Sequence, residues 1–425
     1  MTYAEAIEYL YGLQWFGTKL GLESTRALAD LCGSPDKQLR FIHVAGTNGK
    51  GSVCAMLESI YRHAGLRVGL YTSPHLVAFG ERIQINRQMI PEAELVRLVT
   101  HMQAKLKELP TDHHPTLFEF VTVLALLYFT EQKCNLVIWE TGLGGRLDAT
   151  NIVTPIASVI TNIALDHTQW LGDTLAKIAA EKAGIIKLSI PVITAVDSPE
   201  ALEVIQTVTA DKHAPLRIVN AADTAAFPYQ LSLRGRHQQE NAALALAVVQ
   251  EMRLQLPVSD DALTQGFASV HWPGRLQLVT LASGQRILID GAHNADGMTL
   301  LRESLQQDFT GEKPVLLMGA LADKDWRAMC ELIAPLVAEI HLVPVASQRT
   351  IAPVELAAVC QMANPCLLIR LHDSLAQALA ASSDRPFRLI TGSLYLVGEA
   401  LEQLGAAAIP STNERALNEW GAKKK

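Results

Sequence analysis

Short, continuously apolar runs alternate with longer amphipathic stretches along most of the chain. The runs at 41–45, 68–72, 136–140, 157–162, 192–196, 287–290, 315–318, 340–344 and 387–391 are rich in β-branched residues and predict strands. Helical periodicity fills the intervals, as at 52–64, 117–131, 175–183 and 239–252. Strands with no polar alternation, separated by helices, predict a parallel sheet covered on both faces, the α/β class. The turn signals Pro273-Gly274 and Ser283-Gly284 bracket an expected linker at 274–285. This divides the chain into an N-terminal domain, 1–273, with a mostly parallel sheet, and a smaller Rossmann-like α/β domain, 286–425.

Composition supports two packed domains: 49% of the 425 residues are hydrophobic and 19% charged, too apolar for a disordered chain. The net charge of −7 and the lack of a basic stripe argue against nucleic acid as a partner. The six cysteines form no CxxC pair and suggest neither a disulfide framework nor a zinc site. The opening MTYAEAIEYLYGLQWF has no basic n-region or cleavage site, so no signal peptide is expected. The most apolar stretch, 120–129, is too short to span a membrane. A soluble cytoplasmic protein is the expectation.

The strongest chemical signal is FIHVAGTNGKGS, residues 41–52, an apolar strand running through a glycine-rich loop into an amphipathic helix. Such a loop turns backbone N–H groups onto phosphate oxygens, and the helix N-terminus adds its positive dipole end. Thr47, Asn48, Gly49, Lys50, Gly51 and Ser52 would form the nucleotide cradle, with Lys50 against the β- and γ-phosphates and Ser52 able to ligate magnesium. The alternative is an ordinary glycine turn. The loop departs from GxxxxGK[ST], because Gly51 separates Lys50 from Ser52. In this it resembles the loop shared by Mur ligases and folylpolyglutamate synthases.

Further motifs follow in order: YTSPHLVAFGERI (71–83), WETGLGGRLDATN (139–151), TNIALDHTQWLG (161–172), EKAGIIK (181–187), HQQENAALAL (237–246), PGRLQ (273–277), LIDGAHN (288–294) and GALADKDW (319–326). Together they resemble the bacterial folylpolyglutamate synthase/dihydrofolate synthase family of the Mur ligase superfamily. The phosphate loop comes too early to leave room for a Mur ligase's separate UDP-binding domain. RLDATN looks like the bacterial enzymes that accept dihydropteroate as well as folates.

The resemblance implies that ATP phosphorylates an acceptor carboxylate and that the amine of L-glutamate attacks the acyl phosphate. It implies Mg2+, two ions in all, with Ser73, Glu140, His167 and a carbamate on Lys182 as ligands. Glu140 ends a predicted strand, so it should project at the sheet's carboxyl edge; a solvated or capping carboxylate is the alternative. His167, beside Asp166, could equally be a turn histidine. The apolar neighbours of Lys182 suggest burial, which lowers an amine's pKa and lets it take up carbon dioxide; a surface lysine paired with Glu181 is the alternative.

The same resemblance assigns Asn241, Arg275 and Asp290 to ATP and His293 to the phosphoryl or acyl-phosphate group; otherwise they are loop and capping residues. Lys50, Lys182 and His293 are the expected catalytic residues. Lys324 is a weaker candidate, since Asp323 and Asp325 could simply pair with it. For the pterin it implies Leu20, Gly21 and Leu22, then Thr116, Phe118 and Glu119, then Leu147, Asp148 and Ala149. Phe118 also fits core spacing, and Asp148 could be an N-cap.

The expected activity is therefore a monomeric ligase using ATP, L-glutamate, dihydropteroate and reduced folates. The rivals are a Mur-type ligase acting on a cell-wall precursor and a non-catalytic P-loop regulator.

Overall fold

The computed structural model describes residues 1–13, 21–110, 114–311, 313–407 and 414–419. The first sheet has eight strands: β1 (Phe41–Ala45), β2 (Val68–Tyr71), β3 (Ile83–Ile85), β4 (Gln88–Met89), β5 (Leu136–Glu140), β6 (Ala157–Ile160), β7 (Val192–Thr194) and β8 (Leu216–Ile218). Their order is β4-β3-β2-β5-β1-β6-β7-β8, parallel except where β3 pairs with β2 and β4. Every residue of β1 and β5 is buried, as their unbroken apolar runs predicted. Register pairs Val44 with Glu140, so the loop leaving β1 and the carboxylate closing β5 emerge side by side at one sheet edge.

Helices cover both faces. Lys50–His63 packs against Arg236–Glu251 and Asp260–Ala268 on one side. On the other, Leu117–Glu131 lies among Tyr3–Leu13, Glu23–Leu31 and Glu92–Leu106. Leu117–Glu131 is apolar on nearly every side because its residues from Glu119 to Phe129 are all buried. No helix of the described residues is long and apolar enough to cross a membrane.

The second sheet holds β9 (Gln277–Thr280), β10 (Arg286–Ile289), β11 (Val315–Met318), β12 (Glu339–Leu342), β13 (Leu368–Leu371) and β14 (Phe387–Thr391), in the order β13-β12-β11-β14-β10-β9. It is parallel except for β9, which runs antiparallel to β10. The stretch expected as linker is therefore part of the second sheet. QLVT is half exposed at the sheet's edge, and its short polar-flanked run hid it among turn residues.

Candidate functional site

Two cavities lie between the domains and share one wall. The larger, about 710 Å³, is lined by the whole phosphate loop with Asn241, Arg275 and Asp290. The smaller, about 400 Å³, is lined by Gly21, Thr116, Phe118, Glu119, Leu147, Asp148 and Ala149. Ser73, Gly142, His167 and His293 border both. The expected nucleotide and acceptor residues thus fall into separate chambers that meet at the expected metal and phosphoryl residues.

The phosphate loop is braced by Thr161 and Asn162, which follow β6. Thr47 N donates to the Asn162 carbonyl at 2.9 Å, Asn48 N to Asn162 Oδ1 at 2.7 Å, and Thr161 Oγ1 to the Asn48 carbonyl at 2.6 Å. Gly49 caps the following helix at φ +83°, and a Cβ there would stand 2.4 Å from Asn241 Oδ1. Lys50 Nζ folds back onto the carbonyls of Gly46 and Thr47, 3.1 Å from each.

Lys182 is fully enclosed and donates from Nζ to the Gly46 carbonyl at 2.7 Å. Burial, with the Lys50 charge nearby, brings its ammonium down to about 7. Glu181 pairs with Arg146 instead, so the surface-pair alternative for Lys182 does not hold. Glu140 is 4% exposed and has no ion pair among the described residues; Ser73 N donates to its Oε2 at 3.1 Å. Burial pushes its carboxyl up to about 7 despite Lys50. A buried carboxylate with no ion-pair partner in contact, with the Ser52 and Ser73 hydroxyls on the same cavity wall, is an oxygen set suited to magnesium. No group of three or more His, Cys, Asp and Glu able to hold a metal occurs among the described residues.

His167 adopts φ +50° and lies 3.2 Å from Lys324 Nζ through Nε2. Burial first, then Lys324, lowers it to about 3. Lys324 pairs with Asp166 Oδ1 at 2.6 Å, not with its sequence neighbours: Asp323 binds Arg349 and Asp325 caps a helix. Burial alone would raise Asp166, but Lys324 and His167 hold its carboxyl well below the usual range. His293 donates from Nδ1 to the Gly291 carbonyl at 2.8 Å, and burial and Lys324 lower it to about 4, so the ring is neutral.

Asp290 accepts from Leu276 N and Ala292 N, both at 2.9 Å, clamping the turn that carries Arg275. Both capping and cavity roles therefore fall to it. Asp148 also does both, accepting from Leu143 N at 2.7 Å and from Thr150 N at 3.1 Å. Phe118 is half-buried at the cavity, its ring against Gly142, where a Cβ would stand 2.5 Å from Cζ. The Glu119 carboxylate accepts from Thr116 N at 2.7 Å and Thr25 Oγ1 at 3.2 Å, so this side chain is committed to a capping box. Leu22 packs on the first core instead of the cavity, a correction explained by its place at the start of a helix with that core beneath it. Leu20 lies outside the described residues.

Sequence reasoning missed several cavity residues, namely Arg82, Trp170, Arg349, Tyr395 and Leu417 to Glu419. Arg82 stood within a quoted motif, ERI, which was its one signal.

Comparison with known proteins follows the same division. Residues 44–249 match the Mur ligase middle domain and 274–394 the Mur ligase glutamate ligase domain. The chain is 36% identical over 428 residues to dihydrofolate synthase/folylpolyglutamate synthase of Bacillus subtilis, covering 95% of this chain and 99% of that one. It resembles the structure of E. coli FolC in complex with DHPP and ADP, with TM-score 0.84 and 32% identity over 96% of this chain and 98% of the other. A solved FPGS–AMPPCP–folate complex matches with TM-score 0.80 and 33% identity, covering 95% and 100%.

Proposed function

The chain belongs to the dihydrofolate synthase/folylpolyglutamate synthase family of the Mur ligase superfamily and is an ATP-dependent ligase of glutamate to folates; we propose that it accepts both dihydropteroate and reduced folates. The observation that carries this reading is the common wall of Ser73, Gly142, His167 and His293. A nucleotide in the larger chamber and an acceptor in the smaller would meet there, γ-phosphate to carboxylate. The relatives' complexes with ADP and DHPP, and with AMPPCP and folate, support these occupants.

In the reaction, an acceptor carboxylate oxygen attacks the γ-phosphorus and ADP leaves. The neutral amine of L-glutamate then attacks the acyl carbon, the amide forms, phosphate departs, and the amine gives up its proton. The loop N–H groups and Lys50 hold the phosphates, and the neutral His293 ring faces the acyl phosphate. Phe118 supplies a flat apolar face for the pterin, and Asp148 a hydrogen-bonding edge. Asn241, Arg275 and Asp290 complete the nucleotide chamber.

Magnesium, two ions held by Ser73, Glu140, His167 and a carbamylated Lys182 with Ser52 as a further oxygen, would neutralise the transferring phosphoryl group. The unpaired Glu140 and the lowered Lys182 support that ligand set. We also propose that the protein works as a monomer in the cytoplasm, in keeping with its free cysteines.

The test is ATP- and magnesium-dependent incorporation of labelled glutamate, with dihydropteroate and tetrahydrofolate offered in parallel. Turnover of both is expected. Turnover of tetrahydrofolate alone would remove the dihydropteroate activity and leave the ligase.

A further inference from the structure

Four arginine and lysine side chains line the acceptor cavity: Arg82, Arg146, Lys324 and Arg349. Three are in ion pairs. Arg146 meets Glu181 at 2.7 Å, Lys324 meets Asp166 at 2.6 Å, and Arg349 meets Asp323 at 3.1 Å and Glu419 at 3.4 Å. Arg82 differs. It is only 7% exposed, yet among the described residues no carboxylate lies within ion-pairing distance. Its hydrogen-bond acceptors are neutral: His75 Nδ1, 2.8 Å from Nε, and Asn418 Oδ1, 2.5 Å from Nη2. His75 is fixed as that acceptor because its Nε2 donates to the Glu414 carbonyl at 2.9 Å.

Glu81 and Glu140 act on it only from beyond contact, and a guanidinium taken out of water with no carboxylate in contact is costly; its planar fork matches a carboxylate better than any other side chain does. The surroundings hold it in place. Asn418 Nδ2 donates to the His75 carbonyl at 2.9 Å, and the Glu414 carboxylate accepts from Phe79 N at 2.6 Å and Tyr3 Oη at 3.0 Å. The segment Glu414–Asn418 thereby ties Arg82 and the Ser73-bearing loop to one wall of the cavity.

We propose that Arg82 binds a substrate carboxylate other than the one being activated. The inference rests on the ligase reading above, whose substrates carry such groups: the α-carboxylate of a folate acceptor and the carboxylates of incoming glutamate. Dihydropteroate has a single carboxylate, the one activated, so the two sources can be separated. Asn418 is a positioning residue for Arg82.

The experiment measures initial rates of purified full-length wild type, Arg82→Gln, Arg82→Lys and Asn418→Ala with each acceptor, varying acceptor, glutamate and ATP in turn, alongside melting temperatures. For Arg82→Gln a KM rise of tenfold or more is expected, with the KM for ATP moving less than twofold and Arg82→Lys recovering part. A rise for tetrahydrofolate alone assigns the acceptor's α-carboxylate; a rise for glutamate with both acceptors assigns the incoming amino acid. Asn418→Ala should raise the same KM two- to fivefold. Unchanged carboxylate-substrate KM values in the folded variants would overturn the assignment, as would a uniform rate loss that tracks melting temperature and that lysine does not restore. Should Arg82→Gln fail to fold, flat values in Arg82→Lys and Asn418→Ala overturn it equally. Failure of wild type to incorporate glutamate would instead strike the ligase reading itself.

Discussion

His43 Nε2 lies 2.9 Å from Thr150 Oγ1, and the direction of that hydrogen bond is fixed. Thr150 gives its one hydroxyl proton to the Asp148 carboxylate, so it must accept from His43. The neutral ring then carries its proton on Nε2, and Nδ1 has no partner, as observed. A residue of the central strand β1 thus reaches, through Thr150, the carboxylate that edges the acceptor cavity.

This arrangement makes stability depend on pH. Complete burial, with Lys187 adding to it, lowers His43 from its ordinary 6.5 to about 3. The unfolded chain therefore takes up a proton below pH 6.5 that the folded chain refuses. Stability present above that pH is lost as the pH falls toward 3, at up to about 1.4 kcal/mol per pH unit from this group. Urea unfolding at pH 7.5, 6.5 and 5.5 should show a shallower decline for His43→Gln than for wild type, by about half a linked proton averaged over that range. Equal slopes would remove His43 as the source.

Gly49 has no room for a side chain and a backbone conformation that disfavours one. Ala at φ +83° costs on the order of 1–2 kcal/mol, and its Cβ would strike Asn241 Oδ1. Both residues line the nucleotide chamber, so relief by moving either displaces a phosphate-side group. Gly49→Ala should raise the KM for ATP about tenfold or more while the acceptor KM changes little. Nucleotide titration by calorimetry is the check; wild-type affinity would show the loop tolerates the shift.

The elements legible in the sequence were those buried on both faces. β1 and β5 announce themselves because no residue in either meets water. The edge strands β4, β8, β9 and β13 did not, since short runs such as LRI and LIRL mix polar and apolar positions and read as loop; the inner strand β3, only three residues long, was too short to show a pattern. For the site, residue type within a motif indicated Glu140, Lys182 and His293, and the structure brings all three to the larger cavity. What sequence could not convey is where each side chain spends its bonds. Glu119 looks like a substrate-binding carboxylate and is used as a cap; Lys324 looks paired to its neighbours and binds Asp166 instead. Arg82 meets Asn418 only because segments 336 residues apart in the chain converge.

Phe118 presents its ring to the cavity from the first turn of Leu117–Glu131, 6.1 Å from the Tyr71 ring centroid. Because Phe118 is only half-buried, truncation removes cavity wall more than core. Phe118→Ala should cost about 1–2 kcal/mol of stability and raise the KM for dihydropteroate and for tetrahydrofolate alike, by about tenfold. Parallel rates with the two acceptors check this. A change confined to melting temperature would return Phe118 to the core.

The last prediction concerns Lys182. Its ammonium is enclosed, touches the phosphate loop only at the Gly46 carbonyl, and has a pKa near 7. At neutral pH a substantial fraction is therefore free amine, the form that adds carbon dioxide to give a carbamate and a proton. A carbamate would bring a negative charge and two oxygens to the cavity wall that also carries Glu140. Lys182→Ala should lower kcat by about 10²- to 10³-fold, the scale on which loss of one electrostatic contributor is felt. If the missing group is a carboxylate equivalent, millimolar formate or acetate should restore part of that loss in Lys182→Ala and none in Lys182→Arg, whose side chain still fills the space. Rescue marks the carbamate. Undiminished turnover in Lys182→Ala would sink a catalytic role altogether, and a loss that no small carboxylate repairs, with wild-type melting temperature, would leave the lysine acting as a cation.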